Sequence, residues 1–171
     1  VSDPEPRAWQ TRTAQETEAL ARQFSAALPD LSRWPAVVYL RGELGAGKTT
    51  WARGLLAARG QDRVRSPTYP ILEVYALPDL TVVHLDLYRV TGAGAGAGAG
   101  EVETLGAREL HAPGHLWLIE WPQRGAGALP AADLEVSFEP HPAGRRIVAE
   151  ARSALGSQWL AAITDQPSHG D

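Results

Sequence analysis

Residues 42–49 read Gly-Glu-Leu-Gly-Ala-Gly-Lys-Thr and meet every fixed position of the pattern G-x-x-x-x-G-K-[ST]. The residue types carry their own chemistry. Gly42, Gly45 and Gly47 let the backbone wrap with its N–H groups pointing inward. That concavity, together with the positive end of a following helix, attracts phosphate oxygens. Lys48 brings a compact ammonium on a flexible stem to the outer phosphates, where the broad plane of a guanidinium fits less well. Thr49 offers a hydroxyl to a magnesium ion. Lys48 is also the single lysine among 16 basic residues, so it survives a strong bias toward arginine. Gly42, Glu43, Leu44, Gly45, Ala46, Gly47, Lys48, Thr49 and Thr50 are therefore expected to cradle Mg-ATP, and Lys48→Ala to abolish its binding.

A phosphate loop of this kind needs a carboxylate on a nearby strand. Leu116-Trp-Leu-Ile-Glu120 has that form, an apolar run ending in an acid, and makes Glu120 the expected magnesium partner. His84-Leu-Asp-Leu-Tyr-Arg89 is a second dense cluster. Asp86 either orients an attacking water or a magnesium-bound water, or simply pairs with Arg89. His84 is either part of this cluster or an ordinary core histidine. Ser66 and Thr68 flank Pro67 in a loop one helix further on. Their hydroxyls either sense the terminal phosphate, as in nucleotide switches, or bond their own backbone in a turn.

The elements that must position these groups follow from pattern. Thr13-Ala-Gln-Glu16 reads as a capping box, and Leu20, Phe24 and Leu28 continue it at helical spacing. Val37–Leu40 is a short β-branched strand leading into the glycine turn, and a helix from about Lys48 to Arg59 leaves it, ended by Gly60. Residues 71–75 and 81–85 suggest a hairpin around Leu77-Pro-Asp79. Glu101–Leu110 reads as a short helix, residues 133–138 and 146–150 as a strand pair, and Ser153–Ile163 as a closing helix. Strand–turn–helix units mixed with hairpins predict an α/β domain: a three-layer P-loop NTPase fold with a mixed, largely parallel central sheet plus antiparallel hairpins. The phosphate loop belongs at the C-terminal end of the strand holding Leu40. Residues 1–12 read as a flexible arm, 13–163 as one domain and 164–171 as a frayed tail.

Composition narrows the function classes. The 171 residues suit one compact domain, and 44% apolar content argues against wholesale disorder. A net charge of −4 disfavours a broad basic face for gripping nucleic acid, so no DNA partner is expected. With no cysteine, thiol catalysis and Cys-ligated zinc are excluded. The first ten residues are polar with two prolines, so no signal peptide is expected there. No apolar run suffices to span a bilayer, and a cytoplasmic location without membrane partners is the default.

Taken in order, G-E-L-G-A-G-K-T-T at 42–50, S-P-T-Y at 66–69, H-L-D-L-Y-R at 84–89 and L-I-E-W-P at 118–122 resemble the TsaE family over roughly residues 13–150. Gly125-Ala-Gly-Ala-Leu-Pro130 is similar to that family's loop after the tryptophan. The resemblance implies slow ATP hydrolysis in tRNA threonylcarbamoyladenosine synthesis, alongside TsaD and TsaB. Those two transfer the threonylcarbamoyl group to an adenosine of tRNAs reading ANN codons, so contact with tRNA is indirect. It further implies that Thr49 and Glu120 bind magnesium, that Lys48, Asp86 and Glu120 serve catalysis, that Ser66–Thr68 form a switch-like loop, and that Trp121 lies beside the nucleotide.

One departure interrupts the pattern. Gly92–Gly100 is a pure Gly-Ala alternation inserted before Glu101-Val-Glu-Thr-Leu-Gly106. It is expected to be a flexible loop, tolerated as a surface insertion. Two other readings remain open from the residues. One is a small-molecule kinase, although no arginine-rich lid is recognisable. The other is a non-hydrolysing nucleotide switch. GTP is disfavoured because no N-K-x-D motif is present.

Overall fold

The computed structural model describes residues 4–64, 72–90 and 99–164. The expectations for Ser66, Thr68, residues 92–98 of the Gly-Ala run and the tail from 165 onward lie outside them.

The middle of the molecule is set by two strands buried on both faces. β2 (Ala36–Arg41) and β5 (His115–Glu120) run parallel, with Leu40 level with Glu120. Both read as continuous apolar runs because helices cover both sides of the sheet there. Val38, Leu40, Leu116 and Leu118 face one core, while Val37, Trp117 and Ile119 face the other. β4 (Thr81–Asp86) extends the parallel group beyond β5, and β3 (Leu72–Ala76) closes that edge antiparallel.

On the other side of β2 the pattern changes. β6 (Leu134–His141) lies parallel to β2 and forms a hairpin with β7 (Gly144–Ala151). Leu134, Val136 and Phe138 point into the first core, and so do Ile147 and Ala149. The alternate residues are at least partly exposed, the period-two signature of a sheet with one covered face. The sheet has seven strands in the order β1-β7-β6-β2-β5-β4-β3, parallel in the middle and antiparallel at both edges, as anticipated.

β1 (Arg7–Thr11) corrects the reading of residues 1–12 as a flexible arm. It pairs antiparallel with β7, from Arg7 opposite Ala149 to Thr11 opposite Arg145. The Arg7 guanidinium donates to the carbonyls of Leu160 and Ile163 at 2.9 and 2.7 Å. Nonlocal pairing orders a segment whose own sequence is only weakly strand-like.

α1 (Ala14–Ala26), α2 (Lys48–Ala57) and α5 (Ala154–Ala162) cover one face, and α3 (Ala99–Thr104) and α4 (Ala107–Leu110) the other. Thr13 caps α1 by accepting from the Glu16 amide at 3.1 Å. The Glu16 carboxylate reaches back to the Arg12 amide, one residue earlier than an ideal capping box. The single helix expected over Glu101–Leu110 is two, broken where Gly106 adopts φ 69°. Ala99 and Gly100 of the Gly-Ala run open α3, so these two residues are helical instead of loop.

α2 is anchored firmly. Trp51 is fully buried and packs edge-on against Phe24 and Phe138, with centroids 5.1 and 6.5 Å apart. Gly54 meets α1 so closely that a Cβ there would lie 2.5 Å from the Glu18 carbonyl oxygen. The helix that follows the glycine loop is thus locked to α1 by close approach to its backbone.

Candidate nucleotide-binding site

The loop between β2 and α2 needs glycine at two points. Gly42 sits at φ 153° with its α-carbon pressed on β6, where a Cβ would lie 2.8 Å from the Phe138 carbonyl. Gly47 sits at φ 112° immediately before α2, a left-handed geometry costly for other residues. Between them the chain folds back over the first turn of the helix.

Lys48, Thr49 and Thr50 line a cleft of about 140 Å³ with Leu44, Gly45, Gly47, Asp86, Glu120 and Trp121. Gly42, Glu43 and Ala46 shape the loop from behind instead of lining it. The Lys48 ammonium donates to the carbonyls of Gly42 and Glu43 at 2.6 and 2.8 Å. Ala46 packs on the main core. Leu44 stands two-thirds exposed at the rim.

Lys48 is buried among opposite charges. Burial pulls its ammonium below the usual lysine value, and the carboxylates of Glu120, Asp86 and Glu43 oppose that pull. Its Nζ also lies 4.9 Å from the centre of the Trp121 ring, within cation–π range.

Glu120 ends β5, and Asp86 ends β4 directly beside it in register. The Thr49 hydroxyl donates to Glu120 across 3.3 Å. His84 Nε2 lies 2.8 Å from the other Glu120 oxygen, with both side chains almost wholly buried. The Asp86 carboxylate accepts the Tyr88 amide at 3.0 Å, which fixes its orientation at the strand end. His84 is therefore buried, as a core histidine would be, yet it is bonded to an acid of the cleft. Alternation along β4 places His84 and Asp86 on one face, and this spacing is the signal that could have linked His84 to Glu120.

Trp121 is the one non-glycine residue with positive φ among the described residues, at 58°. The turn leads into the 3-10 segment Pro122–Gly125. Its ring lies 5.1 Å from that of Tyr88, and the Arg124 guanidinium is 5.8 Å from each ring.

Hydroxyl and carboxylate oxygens at Thr49, Glu120 and Asp86 are hard donors that suit Mg²⁺. Among the described residues no three His, Cys, Asp or Glu side chains converge to hold a metal by themselves.

One residue near the loop was not singled out from the sequence. Arg145, at the start of β7, covers the outer face of Gly47: a Cβ there would lie 3.0 Å from its Nε. As one arginine of many it carries no sequence signal.

A glycine loop between a doubly covered central strand and its helix, faced by acids at the ends of the next two strands, defines a three-layer α/β protein of the P-loop class. Residues 11–148 match the family described as threonylcarbamoyl adenosine biosynthesis protein TsaE, and the chain belongs to that family. It is 37% identical over 146 residues to the tRNA threonylcarbamoyladenosine biosynthesis protein TsaE of Haemophilus influenzae, covering 84% of this chain and 89% of that one. The Bacillus subtilis TsaE is 33% identical over 129 residues, covering 75% and 74%. The crystal structure of Bacillus subtilis YdiB shares the fold, with a TM-score of 0.72 at 24% identity over 93% of this chain and 94% of that one. No helix among the described residues is long and apolar enough to cross a membrane.

Proposed function

We propose that this chain binds ATP with Mg²⁺ and hydrolyses it slowly, as a component of the tRNA threonylcarbamoyladenosine machinery acting with TsaB and TsaD. The convergence of Lys48, Thr49, Asp86 and Glu120 on one cleft at the phosphate loop carries this reading.

The division of labour follows from placement. Backbone amides of the loop and the start of α2 bind phosphate oxygens. Lys48 exchanges its bonds to Gly42 and Glu43 for the outer phosphates. Thr49 and Glu120 would hold Mg²⁺, which when bound would supply charge neutralisation at the transferring phosphoryl group. His84 keeps the Glu120 carboxylate turned toward Thr49. Asp86, fixed by the Tyr88 amide, orients the attacking water and takes its proton. Trp121 walls the cleft and limits bulk water beside Lys48. Contact with tRNA runs through the partners.

The test is ATP hydrolysis by the purified chain, alone and with stoichiometric TsaB and TsaD, with Asp86→Ala as control. Slow turnover that needs Asp86 and changes with the partners is expected. Turnover indifferent to the partners, or none in their presence, would favour a kinase or a non-hydrolysing switch.

A further inference from the structure

The strand order separates the two ends of the phosphate loop. Glu120 and Asp86 lie on β5 and β4, to one side of β2, whereas β6 and β7 lie to the other. With its outer phosphates at Lys48 on the acidic side, a nucleoside triphosphate can extend its nucleoside end toward β7.

Arg145 stands there. The β6–β7 turn is wedged against β1, because Gly144 approaches the Thr11 backbone so closely that a Cβ would lie 2.2 Å from its carbonyl oxygen. That wedge aims the next side chain across the loop. Arg145 Nε, Cδ and Cζ come within 3.0, 3.1 and 3.3 Å of a Cβ position on Gly47. The side chain is half-buried. Its neighbour Arg146 pairs with Glu139, and Arg41 and Arg152 pair with Glu135. Arg145 forms no ion pair or hydrogen bond with the described residues, and its guanidinium lies at the head of α2.

We propose that Arg145 is a nucleotide-binding residue that holds the nucleoside end of the ligand, its guanidinium plane stacking on the base. This rests on the ATP-binding reading above. A planar, weakly hydrated cation stacks well on an aromatic face. Stacking of this kind grips a base without reading its hydrogen-bonding edge, so Arg145 adds affinity and little discrimination between adenine and guanine.

The test compares ATP with inorganic tripolyphosphate, both with Mg²⁺, by calorimetric titration of wild type, Arg145→Ala, Arg145→Lys and Lys48→Ala. Arg145→Ala is expected to weaken ATP about tenfold and to leave tripolyphosphate within about twofold. Lys48→Ala should lose both. Arg145→Lys should recover only part of the lost affinity, because an ammonium keeps a cation–π contact but not the planar stack. The proposal is overturned if Arg145→Ala leaves ATP affinity unchanged, if it weakens both ligands equally, or if lysine restores ATP binding in full. Should Arg145→Ala not fold, Arg145→Gln carries the same comparison. If wild type binds tripolyphosphate but not ATP, the ATP-binding reading itself fails, a result separate from any ratio between variants.

Discussion

The two flanks of the phosphate loop are built on different principles. Toward β5 and β4, polar groups are committed to one another: His84 to Glu120 in the interior, Glu120 to the part-buried Thr49, and Asp86 to the Tyr88 amide nearer the surface. Toward β6 and β7, the outer face of the sheet is only partly covered, and charge is handled near solvent. There Glu135 bridges Arg41 and Arg152 at 3.1 and 3.0 Å, while Arg145 reaches the loop unpaired among the described residues. The buried His84–Glu120 pair holds its geometry because a broken bond there leaves a desolvated group behind. A half-exposed flank tolerates change, because water replaces lost partners. The first flank suits chemistry that needs fixed distances, and the second suits gripping a ligand.

The contrast is open to direct attack. The largest effect belongs to Lys48, which serves the loop between the flanks. Lys48→Ala should abolish detectable nucleotide binding while leaving the fold intact, as read by titration and circular dichroism; retained micromolar affinity would refute the assignment.

A smaller, more selective effect is expected from His84→Ala. It removes the partner that orients Glu120 and leaves the loop untouched. Loss of such an orienting partner typically costs about 10- to 100-fold in metal affinity or activity. The apparent affinity for Mg²⁺ in the ATPase assay should fall in that range, with metal-free nucleotide binding nearly unchanged. Equal loss of both would mean that His84 acts only through the fold. The His84 Nδ1 has no hydrogen-bond partner among the described residues, which fits Nε2 as the donor to the carboxylate.

The smallest effect lies on the partly exposed flank. Burial pushes the Glu135 carboxyl up, but hydrogen bonds from Arg41 and Arg152 outweigh it and leave the group below its ordinary value of 4.5. A lowered folded-state value stabilises the protein above the unfolded value, and that stability is lost as pH falls through the folded one. Glu135→Gln should therefore cost less than about 1 kcal/mol near neutrality, given the solvent exposure of its two arginine partners. It should also flatten the stability profile below about pH 4.5. Thermal unfolding across that range measures it, and an unchanged acid limb would remove Glu135 from the account.

What was legible in the residues follows the same division. β2 and β5 could be read because burial on both faces leaves continuous apolar runs. The loop could be read because its backbone demands glycine at fixed points and its chemistry demands Lys48 and Thr49. Glu120 and Asp86 could be placed side by side at the cleft because each ends a strand legible in the sequence. β1 was missed because Arg7-Ala-Trp-Gln-Thr11 has little pattern of its own and owes its strand geometry to β7, distant in sequence. Gly106 was passed over inside a helical stretch, where its left-handed turn divides α3 from α4. Arg145 was illegible in a chain where arginine is the general basic residue. Its distinction is its place over Gly47, which only the sheet order reveals.

The pairing of β1 with β7 also bears on how the molecule comes to exist during synthesis. A strand at Arg7–Thr11 cannot find its neighbour until Gly144–Ala151 has been made. β2, α2, β4 and β5, which carry the acidic flank, are complete well before that. Contacts that join distant stretches of chain form slowly, because the intervening loop must first be closed. The acidic half of the cleft thus has its strands available first, and the arginine half is assembled last, when the late hairpin captures the early strand.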